Sequence, residues 1–559
     1  MAKPWLKHWP DGVPYSIKYP EIPLFELLRN SRRKFPNKPA IVFYGRKISY
    51  SQLDHLTDAL ASTFSNLGIK KDDKVALLLP NIPQFIIGYY GSLKVGAVVV
   101  ALNPLVDGAE IMRQLINCEA KVLIALDELY TKIELIREKT QLKHIILTSG
   151  GSYLPTHLRI LYSIKRRTES KAFAGTLNFS EIISGQKVSP PEVQIDPKTD
   201  LAMIQYTGGT TGLPKGVMLT HFNLVANAVQ SHQWLRGWGY GEIPRDPLPI
   251  ILCAIPFFHM YGVTLMNEGI LLGSTLIPVP RPEPKTILSA IQKYKINYFA
   301  GIPLIFEALL KYPKIKDYDL GSLPFCISGG DFLPTGLAKE FAEITGTEIL
   351  EGYGLTEASP ITHLNPIDKD KRRSKSIGIP FPDTDAKIVD IETGTKDLAP
   401  NEVGELVVRG PQVMKGYWNM PEEDVYALRD GWLYTGDVAT MDTDGYFYII
   451  DRKKYLIQSS GMNVWSRKIE EILSKHPAVK EAVVIGLEDP YRCASGIKAF
   501  VVLHDSFQGK IGAKDLIDFA KQYAADYEIP EAVEFREELP RTPLGKIDKI
   551  ALKRETKPS

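Results

Sequence analysis

Strand-like and helix-like segments alternate from the start of this chain, and this alternation limits its possible folds more than any other feature. The apolar spacing predicts helices over Leu24–Lys34 and Ser51–Leu67. Short apolar runs predict strands at Ala40–Phe43 and Lys74–Leu79. Strands that alternate with helices form parallel sheets covered by those helices. The sequence therefore predicts an α/β fold, with no short repeat.

The most apolar stretch of the chain runs from Phe85 to Leu102 and contains Lys94 in its middle. A helix that spans a bilayer needs about 20 apolar residues with few charges. The stretch therefore predicts a buried helix, followed by a buried strand at Ala97–Leu102.

Length and charge set further limits. A chain of 559 residues exceeds what one hydrophobic core supports, so we expect several subdomains. Its 67 basic and 65 acidic residues leave a formal net charge of +2. A net charge this close to zero produces no overall positive field that would attract nucleic acid, and we expect no nucleic-acid partner.

The cysteines and the N-terminus favour a cytoplasmic location. The N-terminal residues lack the apolar core of a secretory signal. No two cysteines lie at the spacing of metal ligands, so we expect buried, reduced thiols rather than disulfides or zinc ligands at Cys118, Cys253, Cys326 and Cys493.

One segment, Ser152–Lys171, combines basic and apolar residues, among them Arg159, Lys165 and Ile164. A basic amphipathic segment can lie on an anionic membrane surface. A solvated surface helix is the other interpretation, and the imperfect apolar spacing favours it.

A domain boundary is predicted at 451–454. Residues 1–450 would form a large N-terminal domain and 451–559 a small C-terminal one. The elements that flank the boundary are strands at Gly404–Gly410 and Gly445–Ile450 before it, and a helix at Ser466–His476 and a strand at Glu481–Gly486 after it.

The strongest local signal for chemistry is the loop Tyr206–Gly216, with the sequence Tyr-Thr-Gly-Gly-Thr-Thr-Gly-Leu-Pro-Lys-Gly. Glycines let backbone N–H groups turn toward a phosphate chain, while threonine hydroxyls and Lys215 add donors and positive charge. The loop is not a Walker motif, because that pattern needs Ser or Thr directly after its Gly-Lys pair. Here Gly216 follows Lys215.

Together with this loop, motifs along nearly the whole chain resemble the adenylate-forming superfamily of acyl-coenzyme A synthetases, firefly luciferases and peptide-synthetase adenylation domains. The matching motifs, in order, are Leu93–Pro104, Pro256–Gly262, Ser328–Pro334, Glu351–Glu357, Tyr434–Asp437, Asp451-Arg452 and Pro540–Lys546. The resemblance implies two doubly wound α/β subdomains, a small β-barrel-like subdomain and a small mobile α+β domain. It is nearest to medium- and long-chain fatty acid–coenzyme A ligases.

The resemblance also assigns a nucleotide site. Tyr353 would stack on adenine, Thr356 would bind phosphate and Asp437 would bind the ribose. Thr207 and Glu357 would hold Mg²⁺, which binds through few carboxylates plus substrate phosphates. The full set of implied ATP and AMP residues is Thr207, Gly208, Gly209, Thr210, Thr211, Gly212, Lys215, Gly329, Gly330, Asp331, Glu351, Gly352, Tyr353, Gly354, Leu355, Thr356, Asp437, Ile449, Arg452 and Lys546.

Catalysis, by the same resemblance, depends on Lys546, Thr207, Glu357 and His259. The Lys546 ammonium would offset the repulsion between the attacking carboxylate and the α-phosphate. The remaining implied residues are Phe258, His259, Tyr261 and Gly330 for the acyl group, Ser459, Ser460 and Gly461 for coenzyme A, and Lys454 as the hinge of the small domain. Lys453 is expected to be a solvated charge.

The chain departs from the family pattern at Tyr455, Trp465-Ser466, Lys468 and Leu544. These changes lie where the thioester step is assembled, so they bear on that step more than on adenylation. The expected activity is an AMP-forming acid–thiol ligase that uses ATP, Mg²⁺ and coenzyme A.

Several alternatives remain open from the sequence. The substrate can be an aryl acid or a short hydroxy acid, and the acceptor can be a carrier supplied in trans. A luciferase-like oxygenase and a non-enzymatic nucleotide- or acyl-binding paralogue are the others. A homodimer and peripheral membrane contact are possible partners.

Overall fold

The computed structural model describes residues 3–166, 173–184, 188–207, 214–235, 248–459, 462–487, 496–541 and 547–556, with only the backbone of residues 165 and 166. Its strands are β1 (Pro39–Phe43), β2 (Arg46–Ser49), β3 (Lys74–Leu78), β4 (Val98–Ala101), β5 (Ala120–Leu126), β6 (His144–Thr148), β7 (Leu177–Asn178), β8 (Leu201–Thr207), β9 (Lys215–Thr220), β10 (Ile250–Cys253), β11 (Thr275–Pro278), β12 (Tyr298–Gly301), β13 (Phe325–Ser328), β14 (Glu348–Gly354), β15 (Ile361–Leu364), β16 (Ile379–Pro380), β17 (Asp385–Val389), β18 (Gly404–Arg409), β19 (Gly416–Tyr417), β20 (Leu428–Arg429), β21 (Trp432–Met441), β22 (Phe447–Arg452), β23 (Leu456–Ser459), β24 (Met462–Trp465), β25 (Val479–Leu487), β26 (Gly496–Leu503) and β27 (Ala532–Phe535).

The helices are α1 (Glu26–Lys34), α2 (Tyr50–Asn66), α3 (Pro83–Lys94), α4 (Gly108–Asn117), α5 (Tyr130–Arg137), α6 (Thr156–Arg166), α7 (Phe179–Ser184), α8 (His221–Trp234), α9 (Met260–Leu272), α10 (Pro284–Tyr294), α11 (Pro303–Leu310), α12 (Thr335–Thr345), α13 (Pro421–Ala427), α14 (Ser466–Leu473), α15 (Ala513–Ala520) and α16 (Lys549–Glu555). Within the described ranges, none of these helices is long and apolar enough to span a bilayer.

The chain forms two compact units. The first comprises Met1–Asp385 and Val408–Leu433, and the second comprises Ala386–Val407 and Tyr434–Ser559. The predicted domain boundary at 450/451 stays a prediction; by compactness, two segments that precede it belong with the C-terminal residues.

Two large mixed sheets organise the first unit. One has the order β19-β9-β8-β4-β3-β5-β6-β7, in which β8 to β7 run parallel and β9 and β19 are antiparallel. The other has the order β16-β15-β14-β13-β12-β10-β11-β1-β2, with a parallel centre and antiparallel edges. Parallel neighbours need long crossover connections, which the helices between them supply. The predicted α/β class is confirmed.

The apolar stretch predicted to be buried is buried. Every residue of α3 is buried, and β4 follows it. The charge of Lys94 inside α3 is paired, because its Nζ lies 2.6 Å from Asp54 Oδ1 and 2.7 Å from Asp58 Oδ1 on α2. A buried charge is tolerated only when it is paired in this way. An ion pair thus holds α2 and α3 together inside the fold.

The second unit has its own core. Strands β17, β18, β21 and β22 belong to one sheet, and β25, β26 and β27 form another. Buried apolar residues of α14, α15 and the β25–β26 pair pack together, including Ile469, Leu473, Val484, Val501 and Leu516. The predicted helix and strand after 454 are therefore confirmed as α14 and β25.

For five other elements, the predicted ends lie within two residues of the observed ends. These elements are α1, α2, β1, β3 and β18. The predicted strand Gly445–Ile450 is observed as Phe447–Arg452. Cys118, Cys253 and Cys326 are buried free thiols, and Cys493 lies outside the described residues.

Candidate functional site

The Gly/Thr-rich loop connects two paired strands. Thr207 ends β8 and Lys215 begins β9, and the two residues pair directly in an antiparallel register. The positions between them that were predicted to bind phosphate, Gly208, Gly209, Thr210, Thr211 and Gly212, lie outside the described residues. Both ends of the predicted phosphate loop are thus held by the sheet.

Lys215 is engaged by two side chains that the sequence analysis did not identify. Its Nζ lies 2.5 Å from Glu423 Oε2 and 5.2 Å from the centre of the Tyr417 ring. Glu423 lies 208 residues further along the chain, so no local pattern marks the contact. The strand β19 brings Tyr417 here, because Tyr417 pairs with Val217 of β9.

The same Tyr417 contacts the predicted metal ligand. Its hydroxyl donates a hydrogen bond of 2.9 Å to Glu357 Oε1, and the Met414 N–H donates to the Glu357 carbonyl at 2.8 Å. Burial and the Glu357 carboxylate both raise the pKa of Tyr417 above its usual range, so this hydroxyl remains a donor. Glu357, Tyr417 and Lys215 therefore form one cluster.

The predicted nucleotide motifs lie side by side on β13 and β14. Ser328 pairs with Glu351 in parallel register, which places Gly329 beside the β14 residues Gly352 and Tyr353. The Gly329 N–H donates to the Gly301 carbonyl at 3.2 Å. The buried Glu351 carboxylate accepts a 3.3 Å hydrogen bond from the Leu333 N–H. The structure thus brings Gly329 and Glu351–Gly354 together, and their assignment to nucleotide binding stays a prediction.

Close packing explains one of the predicted glycines and backbone conformation explains another. A Cβ on Gly354 would lie 2.1 Å from the Pro360 carbonyl oxygen, so no side chain fits there. Gly330 has a φ of +81°, a conformation that L residues with side chains rarely adopt. Leu355 and Thr356 follow in the turn, where the Leu355 N–H donates to the Pro360 carbonyl at 2.9 Å. Asp331 is exposed and accepts from the Phe332 N–H at 2.9 Å.

The predicted acyl residues surround the start of α9. His259 is the N-cap, and its Nδ1 accepts a 3.3 Å hydrogen bond from the Tyr261 N–H. Phe258 is buried, and its carbonyl accepts from Gln205 Nε2 at 3.0 Å. The Tyr261 ring lies 3.5 Å from where a Gly329 Cβ would stand. Acyl and nucleotide motifs therefore meet at Tyr261.

Glu268 is a buried carboxyl that the sequence analysis missed, although it is the one charged residue of the apolar α9. It is fully buried, and Tyr298 donates a 3.0 Å hydrogen bond to its Oε2. Burial raises the pKa of Glu268 to about 7. The carboxyl therefore titrates near neutral pH, in the core next to the predicted acyl residues.

In the second unit, the predicted ribose ligand is part of an ion pair. Asp437 is buried, and its Oδ1 lies 2.7 Å from Arg452 Nε, its direct partner across β21 and β22. The Glu405 carboxylate binds the chain neighbours of this pair. It accepts hydrogen bonds from the Gly436 N–H at 3.0 Å and from Lys453 Nζ at 2.8 Å. Lys453 was predicted to be a solvated charge; its side chain is 38% exposed, but its ammonium is also paired with the buried Glu405 carboxylate.

The predicted hinge Lys454 lies in a single turn, Lys453–Tyr455. Its ammonium lies 4.8 Å from the centre of the Tyr455 ring, and Lys549 Nζ lies 4.7 Å from the same ring. Lys549 also contacts Ser466 Oγ and Glu470 Oε1, each at 2.7 Å. Two departures from the family pattern, Tyr455 and Ser466, are thus neighbours in one buried cluster.

The remaining predicted residues of the second unit are described only in part. Ile449 lies in β22 opposite Ala439, and Ser459 ends β23 as a buried residue. Ser460, Gly461 and Lys546 lie outside the described residues. The residues that flank the Lys546 segment are paired, because Arg541 bridges Ile547 and the Asp548 N–H donates to the Pro540 carbonyl at 2.7 Å.

Comparison with known proteins supports one family. The model of the AMP-binding enzyme family matches residues 28–418, and that of the AMP-binding enzyme C-terminal domain matches residues 468–546. The chain is 43% identical to a long-chain-fatty-acid–CoA ligase of Bacillus subtilis (strain 168), over 98% of this chain and 96% of that protein. It is 36% identical to the ligase of that name from Salmonella typhimurium, over 100% and 99%.

Solved structures agree in fold. ATP-bound MatB from Rhodopseudomonas palustris matches with a TM-score of 0.82 at 27% identity, over 95% of this chain and 98% of that one. The Mycobacterium tuberculosis fatty acyl CoA synthetase matches with a TM-score of 0.72 at 28% identity, over the same shares.

Proposed function

Because this chain belongs to the AMP-binding enzyme family, we propose that it performs the reaction named for its full-length relatives, the ligation of a long-chain fatty acid to coenzyme A. The observation that carries this proposal is the 43% identity to the Bacillus subtilis ligase over 98% of the chain. The reaction uses ATP, Mg²⁺ and coenzyme A.

The reaction has two steps. A carboxylate oxygen of the acid attacks the α-phosphorus of ATP, and the bond to pyrophosphate breaks, which gives acyl-AMP. The coenzyme A sulfur then attacks the acyl carbon, the bond to AMP breaks and the thiol proton is released. The protein's task in the first step is to bring two anions together and to stabilise the charge that develops.

The residues of the first unit suit the phosphate end of ATP. The Tyr417 hydroxyl donates a hydrogen bond to Glu357 Oε1, so this contact of the carboxylate is with a neutral group rather than with a basic side chain. One carboxylate and one hydroxyl match the way Mg²⁺ binds beside substrate phosphates, and we assign Glu357 and Thr207 to that ion. Bound there, Mg²⁺ would supply positive charge against the phosphates. Lys215 adds a positive charge, and Tyr353 offers a ring to adenine.

Acyl binding is assigned to Phe258, His259, Tyr261 and Gly330, and CoA binding to Ser459, Ser460 and Gly461. In the second unit, the Asp437 carboxylate is assigned to the ribose hydroxyls, supported by Arg452. Lys546 is assigned to the α-phosphate and the attacking oxygen, and Lys454 to the hinge between the two half-reactions.

The assignment of Lys546 is tested by ATP–pyrophosphate exchange. We expect Lys546→Ala to lower exchange by about 100- to 1,000-fold, the effect of removing one preorganised charge from a transition state. Lys510→Ala, at an exposed position, is the matched control. Exchange at the wild-type rate in Lys546→Ala would exclude the role assigned to this lysine.

The substrate and acceptor are tested together. The purified protein is incubated with ATP, Mg²⁺, coenzyme A and an equimolar mixture of acids from acetate to palmitate plus benzoate. Mass spectrometry then measures acyl-AMP and acyl-coenzyme A. We expect thioesters mainly of the long-chain acids. Adenylate without thioester would mean that the acceptor is not coenzyme A, and benzoyl thioester alone would mean an aryl acid ligase.

We also propose a cytoplasmic protein that contacts membranes peripherally, because its substrate is a lipid, and that forms a homodimer. Sedimentation velocity of the purified chain tests the dimer. Membrane contact has a specific candidate surface.

A further inference from the structure

Helix α6 carries an aliphatic face that no described residue covers. The exposed fractions of Ile160, Leu161 and Ile164 are 53%, 60% and 66%. At about 100° per residue, positions i, i+1 and i+4 lie on one side of a helix. Within the described ranges, no other helix carries three large apolar side chains that are this exposed.

The opposite face of α6 attaches it to the first unit. Leu158 and Tyr162, spaced four residues apart, are half-buried. The Tyr162 ring packs so closely on Gly151 that a Cβ there would lie 2.6 Å from Cδ1, and its hydroxyl donates a 2.7 Å hydrogen bond to Glu128. The orientation of the helix is therefore set, and the aliphatic face points away from the core.

The charge of this segment indicates what covers the face. The segment Ser152–Lys171 contains five basic residues, Arg159, Lys165, Arg166, Arg167 and Lys171, and one acidic residue, Glu169. A cationic segment with an aliphatic face matches an anionic lipid surface, in which apolar side chains enter the headgroup boundary while basic ones meet lipid phosphates. Three aliphatic side chains are too few for a stable protein interface, which takes about 800 Å² per partner.

We propose that α6 is a docking site for an anionic membrane surface. The proposal rests on the proposed function for its purpose, because a long-chain fatty acid resides in lipid. It favours the membrane interpretation of this segment over a solvated surface helix. The spacing of the apolar residues is imperfect for a whole amphipathic helix because the inner positions are used by Leu158 and Tyr162.

The test is co-sedimentation of the full chain with vesicles, measured without turnover. Vesicles of one part phosphatidylglycerol to two parts phosphatidylcholine are compared with phosphatidylcholine alone. We expect binding to the anionic vesicles that weakens with salt, and a loss of about tenfold or more in Ile160→Ser/Leu161→Ser/Ile164→Ser. The matched control, Leu105→Ser/Leu135→Ser/Val425→Ser, removes aliphatic side chains that are 68%, 75% and 67% exposed but lie on three separate segments.

Each other outcome overturns the proposal. Equal binding to neutral vesicles would remove the charge argument, and unchanged binding of the α6 variant would mean that another surface docks. An α6 variant that changes from dimer to monomer without losing vesicle binding would mean that a second copy covers this face. Acyl-coenzyme A formation from palmitate supplied on albumin, assayed without vesicles, should be equal in all variants, so failure of the docking site and failure of the proposed function are separate results.

Discussion

Carboxylates at or beside the predicted site residues are held by different means in the two units. In the first unit, Glu357 accepts a tyrosine hydroxyl and Glu351 accepts a backbone N–H. In the second unit, Asp437 and Glu405 are paired with Arg452 and Lys453. Neutral donors orient a carboxylate and leave its charge for a cation, whereas an ion pair consumes that charge.

The turns near these carboxylates also differ, because one is shaped by close backbone packing and the other by charged contacts. The turn that carries Glu357 is shaped by backbone packing so close that Gly354 has no room for a Cβ. The turn Lys453–Tyr455, which carries Lys454, is held at both ends by contacts with charged groups, from Lys453 to Glu405 and from Tyr455 to Lys549. The turn that carries Glu357 therefore depends on steric fit and the turn that carries Lys454 on charge pairing, and substitutions of each kind test this difference.

The largest effect is expected from Gly354→Ala. Its Cβ would meet the Pro360 carbonyl oxygen at 2.1 Å, so the backbone of β14 or of the turn must move. We expect a loss of about 4 kcal/mol or more in the free energy of unfolding, together with loss of ATP–pyrophosphate exchange. Urea denaturation measures it.

The control is Gly336→Ala, in helix α12, where an added Cβ meets nothing within 4 Å. That substitution should be neutral or stabilise the protein by about 0.5–1 kcal/mol. Equal effects of the two substitutions would contradict a steric origin for the shape of the first site.

The next largest effect is expected from Lys549→Met in the second unit. Removal of the ammonium leaves the Glu470 carboxylate buried without its cation, which typically costs about 3–5 kcal/mol. Burial already raises the pKa of Glu470 despite Lys549. Thermal unfolding measures the loss. Lys521→Met, in an exposed pair with Asp518, is the control and should change stability by less than about 0.5 kcal/mol. A comparable loss in both variants would show that burial does not decide the value of these ion pairs.

Glu268 differs from the carboxylates compared above. It is a fully buried carboxyl of the first unit and has no basic partner among its described contacts. Its folded-state pKa of about 7 lies above the ordinary 4.5, so folding favours the protonated form. The raised pKa of Glu268 therefore contributes fully to the free energy of unfolding below about pH 4.5, and this contribution is lost as the pH rises through about 7. Glu268→Gln should gain stability relative to wild type over that range, by about 3 kcal/mol at most.

Urea denaturation of both proteins from acid to mildly alkaline pH measures this difference. Glu343→Gln, at a side chain that is 63% exposed, is the control. Its free energy of unfolding should vary with pH as that of the wild type does. A difference between Glu268→Gln and wild type that stays constant with pH would mean that Glu268 keeps an ordinary pKa.

The smallest effect is expected from Tyr417→Phe, which removes the neutral donor to Glu357. One hydrogen bond to a charged group contributes about 1.5 kcal/mol, so exchange should fall by about tenfold at low Mg²⁺ and recover as Mg²⁺ rises. Tyr448→Phe removes a similar 2.9 Å bond to Asp442 in the second unit and should leave exchange unchanged. A fall that Mg²⁺ does not relieve would argue against orientation of a metal ligand by Tyr417.

The alternation of strands and helices and the order of the motifs were readable in the sequence alone. Both are local: an apolar period of a few residues determines a strand or a helix, and each motif occupies a short contiguous run. The sequence therefore predicted the α/β class, the burial of α3 despite Lys94 and the family.

The partners of the site residues were decided only by the tertiary structure. Tyr417 lies 60 residues from Glu357, Glu423 lies 208 residues from Lys215, and Ser466 lies 83 residues from Lys549. A single sequence records which charges exist but not which fold against each other, because the pairing depends on strand register and burial. For this reason the ion pair of Lys453 with Glu405 was not predicted. For the same reason, the aliphatic face of α6 is defined only by the packing of Leu158 and Tyr162 on its opposite side.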